Sequence, residues 1–230
     1  MHLSNEKFSI YTEDFMEDGT VVKKARSFLN EFIENFAHES LSFFEFWDEF
    51  PFTYRERQVN SVVIPSIHKI TGNVWLEQPF KKNNDDQRFL DIATVKNGNI
   101  YAIELKHAWK SKTDYFAQHI DKEWATAIEQ ISDIKKRTLY DYKNYDVFKI
   151  ALMVLPTYHY VNSKNNIDNM TAEEYNAYLK KEYFDNWTKK YAANYIGVIK
   201  ITNPDKYVHE YSDGEQIFPF ISFVARIERV

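Results

Sequence analysis

The chain contains no cysteine, which excludes disulfides and thiolate metal sites. It has no apolar run approaching the length of a membrane span, and its start, Met1-His2-Leu3-Ser4-Asn5-Glu6-Lys7, lacks a signal peptide's apolar core. A cytoplasmic protein without a membrane partner is the resulting expectation. Glycine is scarce, five residues in 230, beside many Lys, Asn and Ile. We read that balance, and the 17% of aromatic residues, as a bias toward A and T codons rather than as a set of base-stacking platforms. No two of the seven histidines stand at i, i+3 or i, i+4, so a zinc site has no support. P-loops and Ser/His/Asp nucleophile patterns are also missing, which leaves NTP hydrolysis and acyl transfer without a basis. The net charge of −5 argues against nonspecific coating of nucleic acid. It leaves room for an enzyme whose carboxylates are partly neutralised by metal.

What is present fits one α/β domain of 230 residues, 44% hydrophobic and 27% charged. Residues 21–50 read as a helix, with Val22, Ala25, Phe28, Leu29, Phe32 and Phe36 at spacings of three and four. The aromatic run Phe43, Phe44, Phe46 and Trp47 reads as core or a lid over it. A second helix starts near Tyr54 and meets Pro65, where a kink or restart is expected. Val74–Phe80 reads as a strand, Lys81–Gln87 as a polar connection, and 115–139 as a helix with Trp124, Ala127, Ile128, Ile131 and Ile134 on one stripe. Phe148–Leu155, ending at Pro156, has the pattern of a strand buried on both faces. Asn162–Asn169 reads as a loop. Thr171-Ala172-Glu173-Glu174 is a capping box opening a helix to about Ala193, and Tyr195–Thr202 and Ile217–Ile227 read as strands.

The densest signal lies at residues 88–107. Two β-prone runs, Phe89–Val95 and Ile100–Ile103, flank Lys96-Asn97-Gly98-Asn99, a strong hairpin signal. With Asn97-Gly98 as the loop, Asp91 stands opposite Glu104; with Gly98-Asn99, Asp91 stands opposite Lys106. Either register puts Asp91, Glu104 and Lys106 on one face, because strand side chains alternate with period two. Facing carboxylates repel, at a cost of ~0.2–1 kcal/mol, and a divalent cation between them would remove that cost. Leu90, Ile92, Ile103 and Leu105 are apolar on one face, and Ala93, Val95, Ile100 and Ala102 on the other. The hairpin is therefore expected in the interior, where unpaired charge is expensive.

Other Asp-x-Lys triplets carry less. Asp133-Ile134-Lys135 falls in the helical stretch, where i and i+2 do not share a face, and Asp141-Tyr142-Lys143 in a loop. Glu56 on the early helix, Asp91 on the second strand and Glu104-Leu105-Lys106 on the third together resemble the PD-(D/E)xK nuclease superfamily, the restriction-endonuclease-like fold. The resemblance covers about residues 50–156, with Leu90 where the motif name has proline. It implies a mixed β-sheet flanked by helices with an α-β-β-β-α-β core. Residues 1–50 would then be an N-terminal helical part and 157–230 a C-terminal helix-and-strand elaboration.

The resemblance further implies Mg²⁺ or Mn²⁺ held by Asp91, Glu104 and the Leu105 carbonyl, with Glu56 reaching the metal or its waters. Lys106 would position or deprotonate the attacking water and offset charge on the phosphate. Gln130 matches a supporting glutamine carried by some branches of the family. Lys110 and Lys112, with Lys135, Lys136 and Arg137, are candidate contacts to a nucleic-acid backbone, and a solvated helix end explains them as readily. His107 alternates away from Lys106 and reads as structural. The expected activity is metal-dependent hydrolysis of phosphodiester bonds, of DNA first, in a restriction, defence or repair setting, by a chain that is a homodimer if it cuts both strands. A non-catalytic nucleic-acid-binding module or a protein-interaction domain is the alternative.

Overall fold

The computed structural model describes residues 1–16, 20–81, 87–111, 117–135, 145–163, 166–181 and 191–230. Lys112, Lys136, Arg137 and the Asp141-Tyr142-Lys143 triplet lie outside them. Four α-helices and one ten-stranded mixed sheet form among the described residues. The strands are β1 (His2–Ser4), β2 (Phe8–Asp14), β3 (Val74–Lys81), β4 (Gln87–Lys96), β5 (Asn99–His107), β6 (Lys110–Ser111), β7 (Asp146–Tyr160), β8 (Tyr195–Ile201), β9 (His209–Tyr211) and β10 (Gly214–Arg229). The helices are α1 (Thr20–Trp47), α2 (Glu56–His68), α3 (Ala117–Ser132) and α4 (Ala172–Leu179). None is long and apolar enough to cross a membrane.

The strand order is β1-β2-β8-β10-β7-β5-β4-β3, with β6 beside β7 and β9 beside β10. Pairing is antiparallel except where β7 runs parallel to β5 and β6. Helix α3 makes the crossover that a parallel β5–β7 pair requires. Alternation along the central strands supplies two apolar faces. Tyr101, Ile103, Leu105, Phe148, Ile150, Leu152 and Val154 pack against α1 and α2. Ala102, Ala151 and Met153 pack with Trp124 and Ile128 of α3 and Tyr175 of α4. The result is three layers, helix pair, sheet, helix pair.

Several expectations shift. Residues 1–14 are not a helical preamble but two strands, and the alternation of buried Phe8, Ile10 and Thr12 carries the period-two signal for β2. The C-terminal segment is not appended either, since β10 lies between β8 and β7 in the sheet. Helix α2 runs through Pro65, and helix α3 stops at Ser132, leaving Asp133 and Lys135 in the following turn and coil. Strand β7 continues past Pro156 to Tyr160. The Ala108 N–H donates to the Val154 carbonyl, so Pro156, two residues on, turns its N–H-free side to the gap between β5 and β6. No ladder bond is lost there. Leu90 packs with Phe80 in the cluster on the α3 side, away from Ile92. The cause is a break in β3, where Glu77 takes φ 51° and the β3–β4 register passes from Leu76–Ile92 to Gln78–Leu90 with no Glu77–Asp91 pair.

Gly197 sits where β8 passes beneath α1. A β-carbon there would overlap the terminal methyl of Ile33, a fully buried residue. Gly197→Ala is therefore expected to destabilise the fold by about 1–3 kcal/mol, the usual cost of overpacking. Chemical denaturation checks this, and an unchanged midpoint would show that Ile33 repacks freely.

Candidate active site

The hairpin turns at Asn97 and Gly98, with φ of 50° and 72°, the type I′ geometry that Asn-Gly favours. Lys96 pairs with Asn99 and the ladder runs to Ile92–Ile103. This is the register that sets Asp91 opposite Glu104. There the ladder stops, and Asp91 is also unpaired on its β3 side. Freed from both neighbours, Asp91 turns its carboxylate to accept the Leu105 N–H at 2.8 Å. The parting of β4 from β5 opens a fork, and the candidate site fills it.

Glu56 reaches the fork from the first turn of α2, where a carboxylate is favoured by the helix dipole. Its approach is set from below. Phe50 and Phe52 are buried and stacked, with ring centroids 4.7 Å apart, and Pro51–Thr53 form a 3₁₀ turn. His107 Nε2–H donates to the Phe52 carbonyl at 2.8 Å, and Trp109 Nε1–H to the Thr53 carbonyl at 3.1 Å. Residues immediately following the Glu104-Leu105-Lys106 motif thus hold the segment immediately preceding Glu56. Burial pushes the His107 imidazole down to about 4, so it is a neutral structural donor at physiological pH.

Three carboxylates converge on the Lys106 ammonium. Its Nζ lies 3.7 Å from Glu104 Oε1, 3.9 Å from Asp91 Oδ2 and 3.9 Å from Glu56 Oε2, and it donates to the Leu105 carbonyl at 2.9 Å. Glu104 is 3% exposed. Burial first, and then the Asp91 carboxylate, push its carboxyl up to about 8, against the opposing pull of Lys106. Burial also raises Glu56, aided by Asp91 and by Glu123 of α3 and opposed by Lys106. One ammonium does not compensate three carboxylates in a half-buried fork.

The expected residues divide clearly. Glu56, Asp91, Glu104, Leu105 and Lys106 come together, and Gln130 lines a cavity with Glu104. Lys110 is buried in β6 with its ammonium 5.3 Å from the Tyr178 ring centroid, turned toward α4 rather than to the surface. Sequence reasoning missed the flank of α3 beside the fork. Glu123 acts on Glu56, and Thr126 and, just past the helix end, Asp133 line the Glu104 cavity beside the expected Gln130. Their spacing was the available signal: 119, 123, 126, 130 and 133 form one polar stripe beside the apolar one.

No protein-family model, curated protein or solved structure matches the chain. Among the described residues, no three His, Asp or Glu side chains stand close enough to hold a metal ion as placed. The donor set nevertheless suits one. Two carboxylates and a backbone carbonyl around an excess of negative charge are the hard oxygen ligands that Mg²⁺ or Mn²⁺ take.

A carboxyl held above its ordinary value gives stability that is present below the unfolded value of 4.5 and lost as pH rises through about 8. Glu104→Gln removes that loss. In metal-free buffer the variant is expected to melt about 2–4 °C above the wild type near pH 8, for about 1 kcal/mol in a chain of this size, and the gap should shrink toward pH 5. A destabilised variant at high pH would make Glu104 a structural residue instead.

Proposed function

We propose that the chain is a metal-dependent nuclease of the restriction-endonuclease-like fold that hydrolyses phosphodiester bonds, those of DNA first. The convergence of Asp91, Glu104 and Glu56 on the Lys106 ammonium at the β4–β5 fork carries this reading. The surrounding order supports it: a helix bearing Glu56, the antiparallel β3-β4-β5, helix α3, then β7 parallel to β5. Those are the elements expected of a PD-(D/E)xK core. Fold alone would not license an activity; a half-buried cluster of mutually repelling carboxylates in a fork is a better warrant.

Asp91, Glu104 and the Leu105 carbonyl would hold Mg²⁺ or Mn²⁺, with Glu56 toward its waters. Bound there, the ion would supply Lewis-acid stabilisation of the phosphate and a more acidic water. The chain's own groups do the rest. Asp91 is anchored by the Leu105 N–H, so its carboxylate keeps one orientation as charge at the site changes. Lys106 stands on the same face as Glu104 and is only 8% exposed. Its ammonium positions the attacking water and offsets charge developing on the phosphoryl oxygens. Arg55 and Arg57, exposed on either side of Glu56, are available to flanking phosphates, contacts that set position without reading sequence.

A second reading, a non-catalytic binding module on the same fold, draws on Phe46 and Trp47. These are 84% and 69% exposed at the end of α1, while their neighbours Phe44 and Phe50 pack on one another. Cleavage decides between the two. Supercoiled plasmid and linear DNA are expected to be cut in Mg²⁺ or Mn²⁺ and not in chelator, with Lys106→Ala slower by about 10²–10⁴-fold. Metal-independent cutting, or an unimpaired variant, would overturn the assignment; metal binding without turnover would favour the binding module.

A further inference from the structure

The Glu104 carboxylate forms part of the wall of a cavity of about 320 Å³, at the small end of the range for ligand sites. One side is the start of β4, with Arg88 and Phe89, backed by Phe80. The other is the polar stripe of α3, with Thr126 and Gln130, continued by Asp133 in the turn that follows. Phe89 is 57% exposed, whereas Leu90 beside it is fully buried. Burial in the core therefore does not account for the Phe89 ring.

Strand pairing with a second copy does not account for it either. The outer strand here is β3, and Phe89 pairs with its Pro79, a residue with no N–H to offer. Two positions earlier, Glu77 breaks the strand with its positive φ. Proline and a backbone break are devices that blunt a sheet edge against further strands. Phe89 is thus an exposed aromatic residue at the rim of a cavity that Glu104 also lines.

The chemistry of the lining selects among ligands. Three acidic residues, Glu104, Glu129 and Asp133, line the cavity against one basic residue, Arg88, so a phosphate is disfavoured inside. A nucleobase is suited. Its N–H groups find carboxylate acceptors, its carbonyls and ring nitrogens find the Gln130 amide and Arg88, and its flat face finds Phe89. A volume of about 320 Å³ is enough for one nucleobase.

Resting on the nuclease reading above, we propose that this cavity receives one unstacked nucleobase next to the scissile phosphate. The preferred substrate is then single-stranded or locally unpaired nucleic acid rather than continuous duplex. Phe89 is its stacking residue, and Gln130 with Arg88 meets the base edge. A base held there leaves its attached phosphate at the fork, within reach of Lys106.

Binding tests this apart from cleavage. Labelled DNA of about 16 nucleotides, single-stranded or annealed to its complement, is titrated in Ca²⁺ with wild-type protein, Phe89→Ala and Phe89→Trp. The single strand is expected to bind wild type more tightly than the duplex. Phe89→Ala should lose about tenfold of that affinity, Phe89→Trp should retain it, and duplex binding should change little in both. Equal single-strand affinity in wild type and Phe89→Ala, or a preference for duplex, overturns the base pocket; metal-dependent plasmid cleavage would then still uphold the nuclease reading. Wild-type protein that binds neither form and cuts no DNA overturns both.

Discussion

Everything proposed for this protein depends on one electrostatic arrangement, the Lys106 ammonium held within 4 Å of three carboxylates where β4 parts from β5. Apolar residues of similar volume would fill such a fork more stably, because desolvating charges costs more than imperfect pairing returns. Lys106 meets its carboxylates at 3.7–3.9 Å, longer than a direct hydrogen bond. It spends its one short bond on the Leu105 carbonyl. Glu104 bears the consequence, buried and pushed up to about 8. A structure that retains this half-buried cluster holds local instability that a cation would relieve.

The rest of the fold builds and braces the fork. The break at Glu77 and the end of the β4–β5 ladder release Asp91 from pairing on both sides, and the Leu105 N–H then fixes it. His107 and Trp109 clamp the turn before Glu56, so the strand that supplies two site residues also positions the third element. Helix α3, needed for the parallel crossover, buries Trp124 and Ile128 and leaves its polar stripe along the cavity. One backbone device, a short stretch of missing strand pairing, generates both the charge cluster and the space beside it.

Local rules made the centre of the fold legible and distant pairing hid its edges. The Asn97-Gly98 turn specifies its own dihedrals, so register and the Asp91–Glu104 opposition could be read from sequence. Helices α1 and α3 were readable from their apolar spacing. Strand β2 carried an alternation as clear as any, yet nothing nearby announced that it pairs with β8, nearly two hundred residues on. Pro156 read as a strand end because its tolerance depends on a gap between two other strands. The face of Leu90 was misread because period two holds only while the backbone is regular, and Glu77 breaks it one strand away. At the site, residue types and order pointed to Glu56, Asp91, Glu104 and Lys106, while the burial of Lys110 emerged only from the packed structure.

A calorimetric titration of Mn²⁺ or Mg²⁺ into the protein near neutral pH, beside Asp91→Asn, separates a cation site from a purely structural charge cluster. Binding to the wild type with proton release is expected, since Glu104 must ionise to serve as a ligand, with affinity reduced at least about tenfold in the variant. Wild-type protein that takes up no metal, or a variant that binds it equally well, would contradict the proposed cation site at the fork.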